Sequence, residues 1–297
     1  MKVSVIIPSL NPDEKLICVV DSLREAGFDD IILVNDGSDE NHREPFEHAS
    51  AYPECTILTH EVNKGKGRGL KTAFEYCIKN RPDIDGVVTV DGDNQHKAAD
   101  ILKCCEKMAE CKDKVVLGVR NFSGKDVPFK SRFGNNMTSF VFKFACGLNI
   151  SDTQTGLRAI PRQYLELFDK VKGERFEYET NMLLEFKQSH IDFVEVPIET
   201  VYIEENASTH FNPIKDSLKI YGVIFKFLFS SIASSVIDLA MFALISALMF
   251  GKLDGSIRIF TATLGARIIS SLFPDSNRRE IHYYVGRKRL TVHSDHD

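Results

Sequence analysis

Short apolar runs recur through the first 120 or so residues, each closed by a polar turn and most followed by a stretch with helical spacing. Val3–Ile7 reads as a strand ended by Pro8, and Asp30–Val34 as a second. Thr56–His60, Val87–Val90 and Lys114–Val119 read as three more. Between the first two, Leu16, Val19, Val20 and Leu23 give one helical face, with Asp13 or Asn11 as its cap and Gly27 as its stop. Ala98–Glu110 has the same helical character. This alternation predicts an α/β fold on a mostly parallel, doubly wound sheet. Further on, Phe122–Phe133 reads as a mobile basic loop and Phe133–Cys146 as an apolar-faced helix, packed in the core or lying at a lipid surface. Asp152–Ala159 reads as a compact polar turn. A helix follows from Phe176, then short strands at Phe193–Val196 and Thr200–Ile203, and a polar loop over Glu204–Asp216.

The strand ends carry the candidate chemistry. In open α/β sheets, ligands bind beyond the carboxyl ends of the strands. The second strand ends at Asn35-Asp36-Gly37, the fourth at Asp91-Gly92-Asp93-Asn94-Gln95-His96, and the fifth at Arg120. Asp36 can accept hydrogen bonds from a ribose hydroxyl or a base N–H, or cap a turn. Side chains at i and i+2 of an extended segment point the same way, so Asp91 and Asp93 present two hard carboxylates to one side. That suits Mg²⁺ or Mn²⁺ held together with ligand phosphates. Gln95 adds a neutral oxygen and His96 a nitrogen. An acidic turn is the alternative. An EF-hand loop is excluded, because His96 stands where that loop needs Gly and Leu102 where it needs Glu. Asn63-Lys64-Gly65-Lys66-Gly67-Arg68-Gly69 is Gly-rich, basic and helix-opening. Leu70 rules out both a Walker A motif and a dinucleotide fingerprint, leaving a looser anion-binding loop.

Charge and cysteines narrow the setting. A formal charge of −5 over 297 residues gives no global basic surface for nucleic acid. Seven cysteines without a Cys-x-x-Cys pair read as reduced thiols. The N-terminus enters the first strand with no signal-peptide pattern.

In order, Ser4-Val5-Ile6-Ile7-Pro8, Val34-Asn35-Asp36-Gly37-Ser38-Asp39, Asn63-Lys64-Gly65-Lys66-Gly67, Asp91-Gly92-Asp93-Asn94-Gln95-His96, Gly118-Val119-Arg120 and Asp152-Thr153-Gln154-Thr155-Gly156-Leu157-Arg158 resemble the motif set of family 2 glycosyltransferases. The resemblance is to the dolichol-phosphate mannose synthase-like branch and spans residues 1–215. It implies a GT-A (nucleotide-diphospho-sugar transferase) fold and an inverting transfer of a hexose from a UDP- or GDP-sugar. The acceptor it implies is a polyprenyl (undecaprenyl or dolichyl) phosphate; a sugar hydroxyl on a surface polysaccharide or glycolipid is the alternative. It places Mg²⁺ or Mn²⁺ on Asp91, Asp93 and Gln95. The donor falls to Pro8, Asn11, Glu14, Asp36, Asn63, Lys66, Asp91 and His210, the last where such synthases often carry a basic residue. Catalytic roles fall to Asp93, Arg120 and Arg132, with Asp152, Thr155 and Gly156 on the acceptor side. A lipid phosphate is already an anion and needs no strong base. A sugar hydroxyl would need one, and Asp152, Glu177 or Glu179 would be its candidates. Two readings outside this class are a nucleotidyltransferase or nucleotide-binding regulator, for which Ser9-Leu10-Asn11-Pro12 lacks the basic Gly-rich loop, and a membrane scaffold that binds nucleotide-sugars without turnover.

Beyond Lys219 the composition changes. Ser230–Phe250 is 21 residues with the single charge Asp238, long enough as a helix for a hydrocarbon core of roughly 30 Å. Ile257–Phe273 is a second apolar segment, interrupted by Arg258 and Arg267. Residues 216–273 resemble the start of a GtrA-type membrane domain, shortened before the polar tail 274–297. Lys215, Lys219 and Lys226 ahead of the first apolar segment suit a catalytic domain on the cytoplasmic face of a membrane.

Overall fold

The computed structural model describes residues 1–122, 129–143, 147–199, 222, 229, 235–249 and 254–272. The chain divides into two compact units, Met1–Val223 and Ile224–Asp297.

The first unit is a seven-stranded sheet. Its strands are β1 (Val3–Ser9), β2 (Ile31–Asn35), β3 (Cys55–Thr59), β4 (Gly86–Thr89), β5 (Val115–Arg120), β6 (Arg158–Pro161) and β7 (Phe193–Ile198). The order across the sheet is β3-β2-β1-β4-β6-β5-β7. β1 pairs in parallel with β2 and β4, β2 with β3, and β5 with β7. β6 runs antiparallel to both β4 and β5. Strand β1 continues through Pro8 to Ser9, two residues past its expected end.

Helix α1 (Glu14–Glu25) is capped by Asp13, whose side chain accepts from the Lys15 N–H at 3.0 Å. The chain leaves α1 through Gly27 at φ +88°. Leu16, Val19, Val20 and Leu23 are all buried, as their spacing requires. They share one core cluster with Val5 and Ile7 of β1 and with Ile101, Cys104, Cys105 and Met108 of α4 (Ala98–Cys111). The short helix α2 (Glu44–Ser50) adds Phe46 and Ala49 to it. Helix α3 (Lys66–Asn80) packs on β1 and β2, and α6 (Leu165–Asp169) and α7 (Glu177–Gln188) pack on α3. The sheet is thus flanked by helices, with its core strands apolar in near-continuous runs.

Two expectations change. The basic loop expected to reach Phe133 gives way to helix α5 (Phe129–Val141), which starts just after Pro128 in the sequence; 123–128 lie outside the described residues. The compact turn expected over Asp152–Ala159 is shorter, because Arg158 and Ala159 already belong to β6. The strand expected at Thr200–Ile203 and the loop carrying Ser208, His210 and Lys215 lie outside the described residues.

In the second unit, α8 (235–248) and α9 (Gly255–Leu272) are described. A Cβ added at Gly265 would press on Ile245, so the two helices touch closely. Val236, Leu239, Leu248, Ile257 and Phe260 are exposed. Among the described residues, no helix is long and apolar enough to cross a membrane. The expected span at Ser230–Phe250 is described only in part, over 235–249.

Candidate active site

Three turns at the carboxyl ends of β1, β2 and β4 meet the loop that opens α3. Pro8–Asp13, Asp36, Asn63, Gly65–Lys66 and Asp91–Asp93 line a cleft of about 240 Å³, closed on one side by Arg175 and Phe176. Of the expected donor residues, Pro8, Asn11, Asp36, Asn63, Lys66 and Asp91 are brought together there; Glu14 does not line the cleft. His210 lies outside the described residues.

Asp36 is buried, and its carboxylate is largely engaged. Oδ1 accepts from the Lys64 N–H at 2.9 Å and lies 2.6 Å from His60 Nδ1; Oδ2 accepts from the Gly65 N–H at 2.7 Å. The far nitrogen of His60 lies 3.0 Å from the Thr72 hydroxyl on α3. Asp36 therefore pins the Gly-rich loop against β2. Glycine is required at 37, because φ is +75° and a Cβ would strike the backbone of Val62 and Asn63. Asn11, also at positive φ, exchanges hydrogen bonds with Ser38 and Asp39 and so holds the β1 turn to the β2 turn.

Lys66 opens α3 and points at the aspartates. Its ammonium donates to Asp91 Oδ1 at 2.7 Å and to Glu179 Oε1 of α7 at 3.0 Å. Burial pulls the Lys66 pKa down, but the two carboxylates outweigh it and raise it. Burial likewise pushes Asp91 up, yet Lys66 holds it down at about 2. Asp93 is raised, first by burial and then by repulsion from Asp91. His96 is buried and held toward its neutral form by desolvation. Asp91 and Asp93, shifted in opposite directions by a specific charge partner and by burial, make this end of the cleft a functional-site candidate.

The antiparallel sense of β6 completes this end of the sheet. Because β6 runs backwards between β4 and β5, its first residue lies where its neighbours end, and Thr155–Leu157 reach the site. Gly156 packs on Asp91: a Cβ there would overlap both carboxylate oxygens. The hydroxyl of Thr155 is buried and donates to the Gly118 carbonyl at 2.5 Å, a structural tie to β5. Arg158 is fully buried; it donates to the Thr155 carbonyl at 3.1 Å and to the Glu179 carbonyl at 2.9 Å. Sequence reasoning missed this role, as it missed Arg175 and Phe176.

Arg120 ends β5 in a two-pronged pair with Asp152, through Nε at 2.7 Å and Nη2 at 3.2 Å. Asp152 is completely buried and also accepts from the Gln154 N–H. Arg132 is half-buried on α5; neither arginine is among the residues lining the cleft.

The residues fit a divalent metal in one manner. Among the described residues, no three His, Cys, Asp or Glu side chains are arranged to hold one alone. Asp91 and Asp93 supply two hard oxygens, and Mg²⁺ or Mn²⁺ commonly completes its shell with phosphate oxygens and water. Gln95 places its backbone N–H on Asp93 Oδ1 at 3.2 Å. Ser9 Oγ, buried in the cleft wall, has no hydrogen-bond partner among the described residues and is free to meet a polar ligand.

Residues 4–168 match the glycosyl transferase family 2 profile. The chain belongs to that family. A Methanococcus voltae UDP-N-acetylglucosamine–dolichyl-phosphate N-acetylglucosaminyltransferase is 30% identical over 220 residues, 67% of this chain and 85% of the relative. Glycosyltransferase AglJ of Haloferax volcanii is 26% identical, over 75% of this chain and 69% of its own length. Among solved structures, glucosyl-3-phosphoglycerate synthase of Mycobacterium tuberculosis superposes with a TM-score of 0.57 at 16% identity, covering 76% of this chain and 80% of that one. The same synthase has been solved with Mn²⁺ and UDP and with Mg²⁺ and UDP. The fold expected from the motifs is thus the fold found, and the chain is a glycosyltransferase. The profile match stops before the C-terminal region, so it leaves the GtrA-like resemblance without support.

Proposed function

We propose that this glycosyltransferase moves a hexosyl group from a UDP- or GDP-sugar to a polyprenyl phosphate at a membrane surface. One observation carries the reading: of the three carboxylates that could serve as a base for a hydroxyl acceptor, Asp152 and Glu179 are already paired with cations and Glu177 is turned into the protein. Asp152 commits both oxygens to Arg120. Glu179 holds Lys66. Glu177 Oε1 accepts from the N–H groups of Glu174 and Arg175, and its Oε2 is buried without a hydrogen-bond partner among the described residues, out of reach of an arriving hydroxyl. An acceptor that arrives as an anion needs no such base. Relatives named for transfer to dolichyl or undecaprenyl phosphate support the same choice.

In this reading, the β1 and β2 turns with Asp36 shape the nucleoside end of the cleft, and Asn63 and Lys66 face the diphosphate. Asp91 and Asp93, with Gln95, would hold Mg²⁺ or Mn²⁺, which would neutralise charge on the leaving diphosphate. Arg120, oriented by Asp152, and Arg132 would bind the acceptor phosphate. Thr155 and Gly156 set the wall between donor and acceptor. The apolar segments after Lys219 and the lysines ahead of them would place the catalytic unit at the cytoplasmic face.

The test is transfer with the full chain in membranes, Mg²⁺ or Mn²⁺, and a panel of UDP- and GDP-sugars with undecaprenyl or dolichyl phosphate. An organic-soluble, acid-labile sugar lipid that disappears with EDTA is the expected product. Donor turnover with label going only to a sugar hydroxyl would overturn the acceptor assignment.

A further inference from the structure

Both oxygens of Asp91 have close neighbours, although the side chain still reaches the cleft. Oδ1 takes the Lys66 ammonium at 2.7 Å. Oδ2 lies against the Gly156 backbone, where not even a Cβ would fit. A divalent cation arriving at Asp91 therefore meets a cation already in place. A second carboxylate, Glu179, holds the same ammonium from the opposite partner at 3.0 Å. Glu179 is itself fixed, because its carbonyl accepts from the buried Arg158.

We infer that Lys66 is an internal cation that competes with the divalent metal for Asp91, and that Glu179 is the positioning residue that keeps the ammonium when the metal displaces it. The inference rests on the metal reading above. Like charges repel strongly at contact distances in a partly desolvated cleft. A metal alone must push the ammonium off Asp91 without replacing the lost attraction. A nucleoside diphosphate changes this balance, since its anionic oxygens pair with the metal and with the displaced ammonium together. Metal and donor then strengthen each other's binding, and the donor-free site holds metal only weakly. The three groups come from β4, α3 and α7, so the exchange also ties the aspartates to the helix that begins at the cleft's Arg175–Phe176 wall.

Mn²⁺ binding to the full-length protein, followed by the loss of the free-ion electron paramagnetic resonance signal, tests this without catalysis. The titration is run with and without UDP or GDP. Lys66→Met should bind Mn²⁺ at least about tenfold more tightly than wild type without nucleotide, and the nucleotide should add less. Glu179→Gln should weaken metal binding without nucleotide. Lys66→Met combined with Glu179→Gln leaves the net charge of the site unchanged, yet should still bind more tightly than wild type, because the competitor is gone. Lys71→Met removes a nearby ammonium that pairs with Glu174 instead, and should leave Mn²⁺ binding unaltered. Unchanged or weaker binding by both Lys66→Met and the double variant would overturn the competition. Equal tightening by Lys71→Met would overturn it as well, in favour of a general field. Absence of Mn²⁺ binding in wild type with either nucleotide and in every variant would instead overturn the metal site itself.

Discussion

The backbone of Gly156 lies so close to the Asp91 carboxylate that a methyl group at position 156 would overlap both oxygens. The contact joins the turn before β6 to the first of the two aspartates. Gly156→Ala must therefore push Asp91 away from its place beside Lys66 and Asp93. A displacement on the order of 1 Å at a catalytic constellation can cost about 100-fold in rate. The variant should keep its fold, shown by an unchanged far-ultraviolet spectrum, and lose activity by about that factor in kcat/KM. Activity within a few fold of wild type would show that the Asp91 position is not critical.

Asp36 predicts an effect on stability as well as on donor binding. Its buried carboxylate accepts from Lys64 N–H and Gly65 N–H and contacts His60. Hydrogen bonds to a charged group contribute roughly 1.5–3 kcal/mol each, less than additively. Asp36→Ala should destabilise the first unit by about 2–4 kcal/mol in urea unfolding and raise the donor KM. Full stability with only the KM altered would mean that the carboxylate serves the nucleoside and not the loop.

Arg158 makes a contrasting prediction. It is 1% exposed and serves two carbonyls, those of Thr155 and Glu179. Arg158→Met keeps the apolar length but removes the donor to both carbonyls, that of Thr155 and the α7 carbonyl of Glu179. The expected loss is about 3 kcal/mol, and with it the Lys66–Glu179 geometry. Arg158→Lys should recover only part, since one ammonium cannot reproduce the planar fork. Urea unfolding of the three proteins measures the ranking.

Thiol chemistry follows from burial. Desolvation pushes Cys104 and Cys105 up to about 12, and Cys77 to about 11, from an ordinary 9.0. Cys18 is exposed. Iodoacetamide at pH 8 should label Cys18 in the native protein and leave Cys104 and Cys105 untouched until denaturant is added, as peptide mass mapping would read out. The sign of the linkage is fixed: unfolded thiols release protons from pH 9 upward, while folded ones keep them to about 12. Stability is therefore lost as pH rises through that window. Denaturation midpoints at pH 8 and pH 10 measure it.

Much of this site is legible in the pattern of strand ends. The runs ending at Asn35, Thr89 and Arg120 are apolar and β-branched, and the polar residues after them announce themselves by contrast. Asp36, Asp91 and Asp93 thus stand out along the chain itself. β6 does not. Its sequence, Arg158-Ala159-Ile160-Pro161, begins with a charge and ends with a proline, which is how a turn reads. Arg158 is nonetheless buried, its Nε and Nη1 serving two carbonyls while Nη2 has no hydrogen-bond partner among the described residues; those pairings are invisible along the chain. The Lys66–Asp91 pair is hidden for the same reason, joining residues 25 positions apart on different elements. Asp152 and Glu179, candidate bases by residue type, hold cations instead; only three-dimensional partners distinguish the two roles.

The most direct test of the account compares two acceptors that differ only in the phosphate. Wild-type protein and Asp93→Asn are given the preferred nucleotide-sugar, Mg²⁺ or Mn²⁺, and either a polyprenyl phosphate or the matching polyprenol. The account predicts labelled lipid from the phosphate alone, with wild type alone. Comparable transfer to the polyprenol hydroxyl, or full activity in Asp93→Asn, would contradict it.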